Sequence, residues 1–274
     1  MAERITSRKN EIIRSAARLA SCAEFRREQG LFLAEGARLC GDAAKSKVAI
    51  PTLFYTARAQ EKYGAYLAEI RNAARREYEV EEHVAALLSE TKTPQGVFCV
   101  CEMNARPRRT ADMVCDRHYL ALENIQDPAN LGAVLRTAEA LGLGGVLLAG
   151  SCCDVYSPKI LRASMGAVFR LPFYFAPSMA RAAGELNEAG FLTLAAVPDA
   201  EAESITGVSF DRPAVIAVGN EGSGLTGEAV AACAKAVTIP MRGRAESLNA
   251  SASAAILMWE MMREDRGGDS GECG

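Results

Sequence analysis

Histidine is almost absent from this chain: His83 and His118 are the only two in 274 residues. Acid–base chemistry resting on imidazole therefore has little to work with. The nine cysteines fall as Cys99-x-Cys101, Cys152-Cys153 and scattered singles, with no CxxC pair. Neither a zinc site nor a disulfide framework has that spacing, so the cysteines read as reduced thiols used as small hydrophobes, and no metal is expected. No run approaches the roughly 18 apolar residues of a membrane span. The start, MAERITSRKNEIIRSAARLA, is basic but broken by Glu3, Glu11 and arginines, which is not a secretory leader. A cytoplasmic chain without a membrane partner is expected. There is no GxxxxGK[ST] loop, and Gly142-Leu143-Gly144-Gly145 precedes a strand and lacks the third glycine of a dinucleotide fingerprint. Glu221 stands two residues before Ser223 where a nucleophile elbow needs glycine.

What is present is an ordinary folding composition, 49% hydrophobic and 24% charged. The length suggests two domains, each able to bury its own core. The net charge of −3 hides an asymmetry. Residues 1–110 carry 19 Lys and Arg against 14 Asp and Glu, and the remainder 12 against 20. The composition changes near NARPRRTADMVCD, where Pro107 and three arginines read as a linker. The expected organisation is a first domain over 1–104, a linker over 105–117 and a second domain over 118–274. The basic first domain suits an anionic partner such as nucleic acid, or else carries ordinary solvated charge.

In the first domain Ile12, Ile13, Ala16, Leu19, Ala20 and Ala23 recur at helical spacing, with Arg14 and Arg18 on another face. Leu31–Ala34, Pro51–Tyr55 and Gly96–Cys101 read as strands, and Gly36–Ala44 and the stretch holding Tyr63, Tyr66, Leu67 and Ile70 as helices. This is a small α/β sandwich. From residue 118 the alternation is regular: strand 119–123, helix 131–141, strand 145–149, helices 157–165 and 178–189, strands 191–197 and 214–218. A helix over 226–234, strand 236–240 and a terminal helix from about 250 to 264 follow. Continuous apolar runs such as Ala214–Val218 suit a parallel sheet covered on both faces. Ligands of such sheets sit beyond the carboxyl ends of the strands, which directs attention to the loops there.

Three loops stand out. In ENIQDPANLGAVLRTAEALG, residues 123–142, Asp127-Pro128 makes a turn and Asn130 is placed to N-cap a helix with an apolar stripe of Leu131, Leu135, Ala138 and Leu141. Arg136 lies on the small-residue face with Gly132 and Ala140, either solvated or open to a phosphate. In Gly219-Asn220-Glu221-Gly222-Ser223-Gly224-Leu225 the glycines permit positive φ and close backbone approach. That fits a strained turn or, given Glu221 at the strand mouth, a site. In IPMRGRAESLNASASAAI, residues 239–256, Ser247 or Asn249 caps a helix whose inward residues are expected to be Ala252, Ala255, Ile256, Trp259 and Met262.

Taken in order, ENIQDPANLGAVLRTAEALG, VGNEGSGL and IPMRGRAESLNASASAAI resemble the three motifs of the SpoU (TrmH) family of RNA ribose 2'-O-methyltransferases, in the SPOUT superfamily. Ala250 replaces the usual valine. Residues 1–104, with ITSRKNEIIRSAARL and FLAEGARL, look like the family's accessory RNA-binding domain, similar in fold to ribosomal RNA-binding proteins. The resemblance implies an α/β fold with a trefoil-knotted parallel-sheet domain, a homodimer, and S-adenosylmethionine bound in the knot. Periodicity alone leads to an unknotted sheet. By motif position, the resemblance assigns Gly219, Ile239, Met241 and Leu248 to the cofactor, and Asn130, Arg136, Glu221, Ser247 and Asn249 to the reaction centre. It implies ribose methylation of structured RNA, ribosomal RNA being favoured over transfer RNA. A catalytically silent RNA-binding protein or methylation of a base are the alternatives. Deprotonating a guanidinium near pH 7 costs on the order of 7 kcal/mol, so clamping a phosphate is favoured over general-base action for Arg136. Arg14, Arg18, Arg26 and Arg27 are the expected RNA contacts of the first domain.

Overall fold

In the computed structural model, which describes residues 3–91, 93–103 and 107–263, the first part of the chain runs β1 (Glu3–Ile5), α1 (Glu11–Ser21), α2 (Ala23–Gln29), β2 (Leu31–Glu35), α3 (Ala37–Lys45), β3 (Ile50–Tyr55), α4 (Ala57–Ala73), β4 (Ala74–Val80), α5 (Glu82–Ala85) and β5 (Val97–Glu102). There follow β6 (Tyr119–Glu123), α6 (Pro128–Leu141), β7 (Val146–Ala149), α7 (Pro158–Ala163), β8 (Phe173–Ala176), α8 (Met179–Glu188) and β9 (Leu192–Ala196). The chain continues through β10 (Glu203–Ser204), β11 (Ala214–Val218), α9 (Gly227–Ala232), β12 (Lys235–Thr238) and α10 (Ala250–Met261). Residue 104 at the end of the expected first domain, residues 105–106 at the start of the expected linker, and residue 264 of the expected terminal helix lie outside the described residues. No described helix is long and apolar enough to cross a membrane.

Two compact units form, Met1–Arg106 with Asp154–Arg170, and Pro107–Cys153 with Leu171–Gly274. This departs from the expected division in two places. Residues 107–117 are not a free linker: Phe175 N–H donates to the Arg108 carbonyl at 2.9 Å, and Met113 joins the core of the second unit. The excursion 154–170 belongs to the first unit, because Tyr156 and Phe169 stack on Phe32 at centroid distances of 4.8 and 6.1 Å. Arg162 also lies 3.7 Å from the Glu35 carboxylate.

The first unit is a mixed five-stranded sheet in the order β1-β4-β3-β5-β2, parallel from β1 to β3 and antiparallel beyond. Alternation along the strands sends Leu33, Phe54, Phe98 and Val100 to the face covered by α1 and α5, where Ile13, Ala16, Leu19 and Val84 complete the core. Helices α3 and α4 pack on each other and against the sheet. Phe32, Phe54 and Phe98 are each almost wholly buried, worth on the order of 2–3 kcal/mol apiece. Cys40, Cys99 and Cys101 are buried, and burial pushes the Cys99 and Cys101 thiols well up, which suits a packing role. Asn10 caps α1, accepting from Ile12 N–H at 2.9 Å. The expected stripe holds at Ile13, Ala16, Leu19 and Ala20, whereas Ile12 is exposed and Ala23 opens α2 after the chain turns at Cys22.

The second unit is a seven-stranded, wholly parallel sheet in the order β10-β12-β9-β11-β6-β7-β8. One face, with Tyr119, Ala121, Leu147, Val215 and Ala217, is covered by α8 and α9. On the opposite face α10 packs against α6 and β11. The rotation of α10 corrects the expectation. Ala254, Leu257, Met258 and Met261 point inward, Ile256 and Trp259 are 42% and 50% exposed, Ala252 is exposed, and Ala255 and Met262 are half-buried. ASASAAILMWEMM is apolar on nearly every side, so its period cannot say which side meets the sheet.

Arg26 also departs from expectation. Only 4% exposed, its guanidinium donates to Asp154 Oδ2 at 2.8 and 2.7 Å and to the carbonyls of Leu19 and Ala20 at 2.6 and 3.1 Å. It fastens the excursion to the α1–α2 corner and is not available to RNA. Removing one partner of a buried ion pair strands the other. Asp154→Ala is therefore expected to cost about 3 kcal/mol and lower the melting temperature, a loss that calorimetry would register and that exposed Arg27→Ala would not share.

Candidate active site

The loop after β11 owes its shape to an absence of side chain. A Cβ at Gly219 would occupy the space of the Gly224 carbonyl and the Leu225 nitrogen. The loop folds back on itself there: Asn220 and Gly224 exchange two backbone hydrogen bonds at 3.0 and 2.9 Å, and Gly224 takes φ of +68°. Of the two glycine roles the sequence suggested, Gly219 serves close approach and Gly224 serves positive φ. Asn220 organises the turn, its Oδ1 accepting from Gly222 and Ser223 N–H at 2.9 and 3.1 Å. Its Nδ2 donates to the Asn124 carbonyl at 2.8 Å.

Glu221 projects from this loop to the start of α6. Its carboxylate accepts from Asn130 Nδ2 at 3.1 Å and from the N–H groups of Asp127 and Gln126 at 3.2 and 3.4 Å. Burial acts to raise the Glu221 pKa, yet the bonds from Asn130 and from backbone N–H groups outweigh it and hold the carboxyl below the ordinary glutamate value. Asn130 is not the N-cap. Asp127 caps α6, accepting from Ala129 N–H at 2.8 Å with Pro128 at the first turn, which frees the buried Asn130 side chain. Asn130 Oδ1 in turn accepts from Asn249 Nδ2 at 3.0 Å. Asn249 is the N-cap of α10, its Oδ1 accepting from Ser251 N–H at 2.9 Å. Three of the expected reaction-centre residues, from three motifs, thus form one hydrogen-bonded chain.

Beside this chain lies a cavity of about 300 Å³ at the carboxyl edge of the sheet. Gly219, Ile239, Met241 and Leu248, the expected cofactor residues, line it together with Glu221 and Ser247. The glycine loop and the side chains of Ser223 and Ser247 give it polar lining, and Val218, Leu225 and Leu257 give it apolar lining. That mixture fits an adenosine with a charged sulfonium tail. Arg136 is not part of the lining. It is exposed on α6, with no hydrogen bond or ion pair among the described residues. Arg14, Arg18 and Arg27 are exposed on α1 and α2, with the Arg18 guanidinium 4.0 Å above the Phe25 ring.

Sequence reasoning missed Asn220, Leu225, Leu257 and the wall made by Ala196, Val197 and Pro198. The last was detectable, since those residues close strand β9 and the strand-end rule applies to them too.

The model of the SpoU rRNA Methylase family matches residues 117–259, and that of the MRM3-like substrate binding domain matches residues 10–99. The chain is 31% identical to an uncharacterized tRNA/rRNA methyltransferase of Synechocystis sp., over 95% of this chain and 93% of that protein. It is 29% identical to the 23S rRNA (guanosine(2553)-2'-O)-methyltransferase RlmP of Bacillus subtilis, over 94% of this chain and 99% of the relative. The crystal structure of AdoMet-bound rRNA methyltransferase from Sinorhizobium meliloti is similar with a TM-score of 0.84 at 30% identity, covering 96% of this chain and 98% of that one.

Because no shift of a flexible side chain relieves a Cβ placed against backbone, Gly219→Ala is expected to open the loop. Calorimetry should show S-adenosylmethionine affinity falling by about tenfold or more, with far-ultraviolet circular dichroism unchanged.

Proposed function

The chain belongs to the SpoU rRNA methylase family, and from that membership we propose that it transfers a methyl group from S-adenosylmethionine to a ribose 2'-hydroxyl of ribosomal RNA. The observation that carries this reading is the meeting of the three motif loops at one strand edge. Two of them supply the cavity wall, and the first and third are tied to the Glu221 carboxylate through Asn130 and Asn249.

Gly219, Ile239, Met241 and Leu248 would hold the cofactor, which when bound supplies an electrophilic methyl carbon on its sulfonium. The protein's part is to bring the hydroxyl oxygen into line with that carbon and to keep it there, and positioning of this kind removes a large share of a bimolecular barrier. Arg136, unpartnered among the described residues, clamps an RNA phosphate with its two-pronged fork and orients the adjacent 2'-hydroxyl. Ser247 lies at the cavity to contact the ribose or the cofactor. Glu221, Asn130 and Asn249 hold the loops that carry these groups. The first unit reads the substrate, with Arg14, Arg18 and Arg27 neutralising phosphates, so binding weakens with added salt. Cytoplasm is the working compartment for such a substrate.

Two further features belong to the proposal. The chain forms a homodimer through α10, where Ile256 and Trp259 leave an apolar stripe in solvent. A trefoil knot encloses the cofactor, a reading supported by family membership and by the way residues 239–248 share the cavity with the β11 loop.

The deciding experiment treats ribosomal RNA from cells lacking this gene with the protein and methyl-labelled S-adenosylmethionine, then digests to nucleosides. A 2'-O-methylated nucleoside is expected, and label on a base instead would overturn ribose specificity. Arg136→Lys keeps the charge and loses the fork, so turnover is expected to fall by about a hundredfold or more with cofactor affinity retained. Near wild-type turnover would count against the clamp. Replacing Ile256 and Trp259 together by lysine should convert a dimer into a monomer in light scattering.

A further inference from the structure

The glycine loop is fastened at both ends by two consecutive residues, the last of strand β6 and the first after it, neither of which lines the cavity. At its start, Asn220 Nδ2 donates to the main-chain carbonyl of Asn124 at 2.8 Å. At its end, the N–H and Oγ1 of Thr226 donate to the two carboxylate oxygens of Glu123 at 2.8 and 3.1 Å. Glu123 is 3% exposed and has no ion-pair partner among the described residues. A buried carboxylate without a cation is costly to keep, and this one offers a separate oxygen to each of the two Thr226 donors. Asn124 sits at φ of +57°, a conformation L residues rarely adopt, and this turn aims its carbonyl at Asn220. Its own Oδ1 meanwhile accepts from Ser151 N–H at 2.8 Å.

We propose that Glu123 and Asn124 are positioning residues for the cofactor loop. Adjacent on β6 and its first loop residue, they fix the distance between Asn220 and Thr226, and hence the shape of the wall between them. They act on cofactor affinity through the loop, without touching cofactor or RNA. The proposal rests on the reading of the cavity as the S-adenosylmethionine site.

Three variants of the full-length protein separate the contributions. Glu123→Gln preserves size but turns one acceptor into a donor facing Thr226. Asn124→Ala strains the left-handed backbone, whereas Asn124→Gly accepts it and so retains the carbonyl while losing the side chain. The measurements are the S-adenosylmethionine Kd by calorimetry, KM for cofactor and for RNA, kcat and the melting temperature. Glu123→Gln and Asn124→Ala are expected to raise Kd and KM for the cofactor by about tenfold, leaving KM for RNA and kcat at saturating cofactor within about twofold. Asn124→Gly is expected to bring Kd back to within about threefold of wild type. A merely structural role would lower the melting temperature without this split. Wild-type cofactor affinity in the first two variants overturns the proposal, as does an Asn124→Gly protein as weak as Asn124→Ala. If Glu123→Gln fails to fold, the alanine–glycine comparison at 124 decides. Failure of the wild-type protein to bind S-adenosylmethionine would instead overturn the proposed function.

Discussion

The Glu221 carboxylate holds together three pieces of chain that lie far apart in sequence. It accepts from the start of α6 directly and from the start of α10 at one remove, through Asn130. The chain of bonds has a direction. Each amide donates toward the carboxylate and accepts from behind, so an aspartate at 130 would remove the shorter of the two side-chain donations to Glu221 and place two carboxylates together. Asn249 must likewise donate to Asn130 and accept from the first turn of α10. The residue types at these positions follow from hydrogen-bond polarity alone.

The sheet makes that convergence possible. In a wholly parallel sheet every strand ends at the same edge, and β11, inserted between β6 and β9, puts loops that are about 95 residues apart in sequence next to each other. Helix ends arrive at this edge with backbone N–H groups free, and Glu221 accepts from the N–H of the α6 cap residue Asp127 and of Gln126 before it. The cavity is then whatever the adjacent strands and α10 leave open, which explains its apolar lining.

Much of this was legible in the sequence, and the misses have physical reasons. The strand Ala214–Val218 is a continuous apolar run buried on both faces, and its limits agree with the structure residue for residue. Strand β4, ARREYEV, was missed because its first residues are charged and exposed and only Tyr78 and Val80 are buried. The strands β8 and β10 are short enough to carry no period. Asn130 was read as a cap because asparagine before an apolar stripe usually is one, yet Asp127 with Pro128 does that work a turn earlier. Arg26 looked like its neighbour Arg27, and only the distant Asp154 distinguishes them. The four residues that the resemblance assigns to the cofactor all line the cavity, because motif position carries over with the loops it names, whereas the placement of Arg136 outside that lining depends on tertiary geometry.

The excursion from Asp154 to Arg170 changes what counts as a module in this protein. The polypeptide leaves the second unit, completes the first with Asp154, Tyr156, Arg162 and Phe169, and returns at Leu171. No single cut separates the units, because the first is stitched from two stretches of chain. Exchange of the substrate-reading unit between relatives by one crossover near residue 107 would join Phe32 and Arg26 of one lineage to the aromatic and acidic partners of another. Recombination is therefore constrained to carry both stretches together, and the two must drift as one inheritance even though 47 residues of the other unit, Pro107–Cys153, stand between them in the gene.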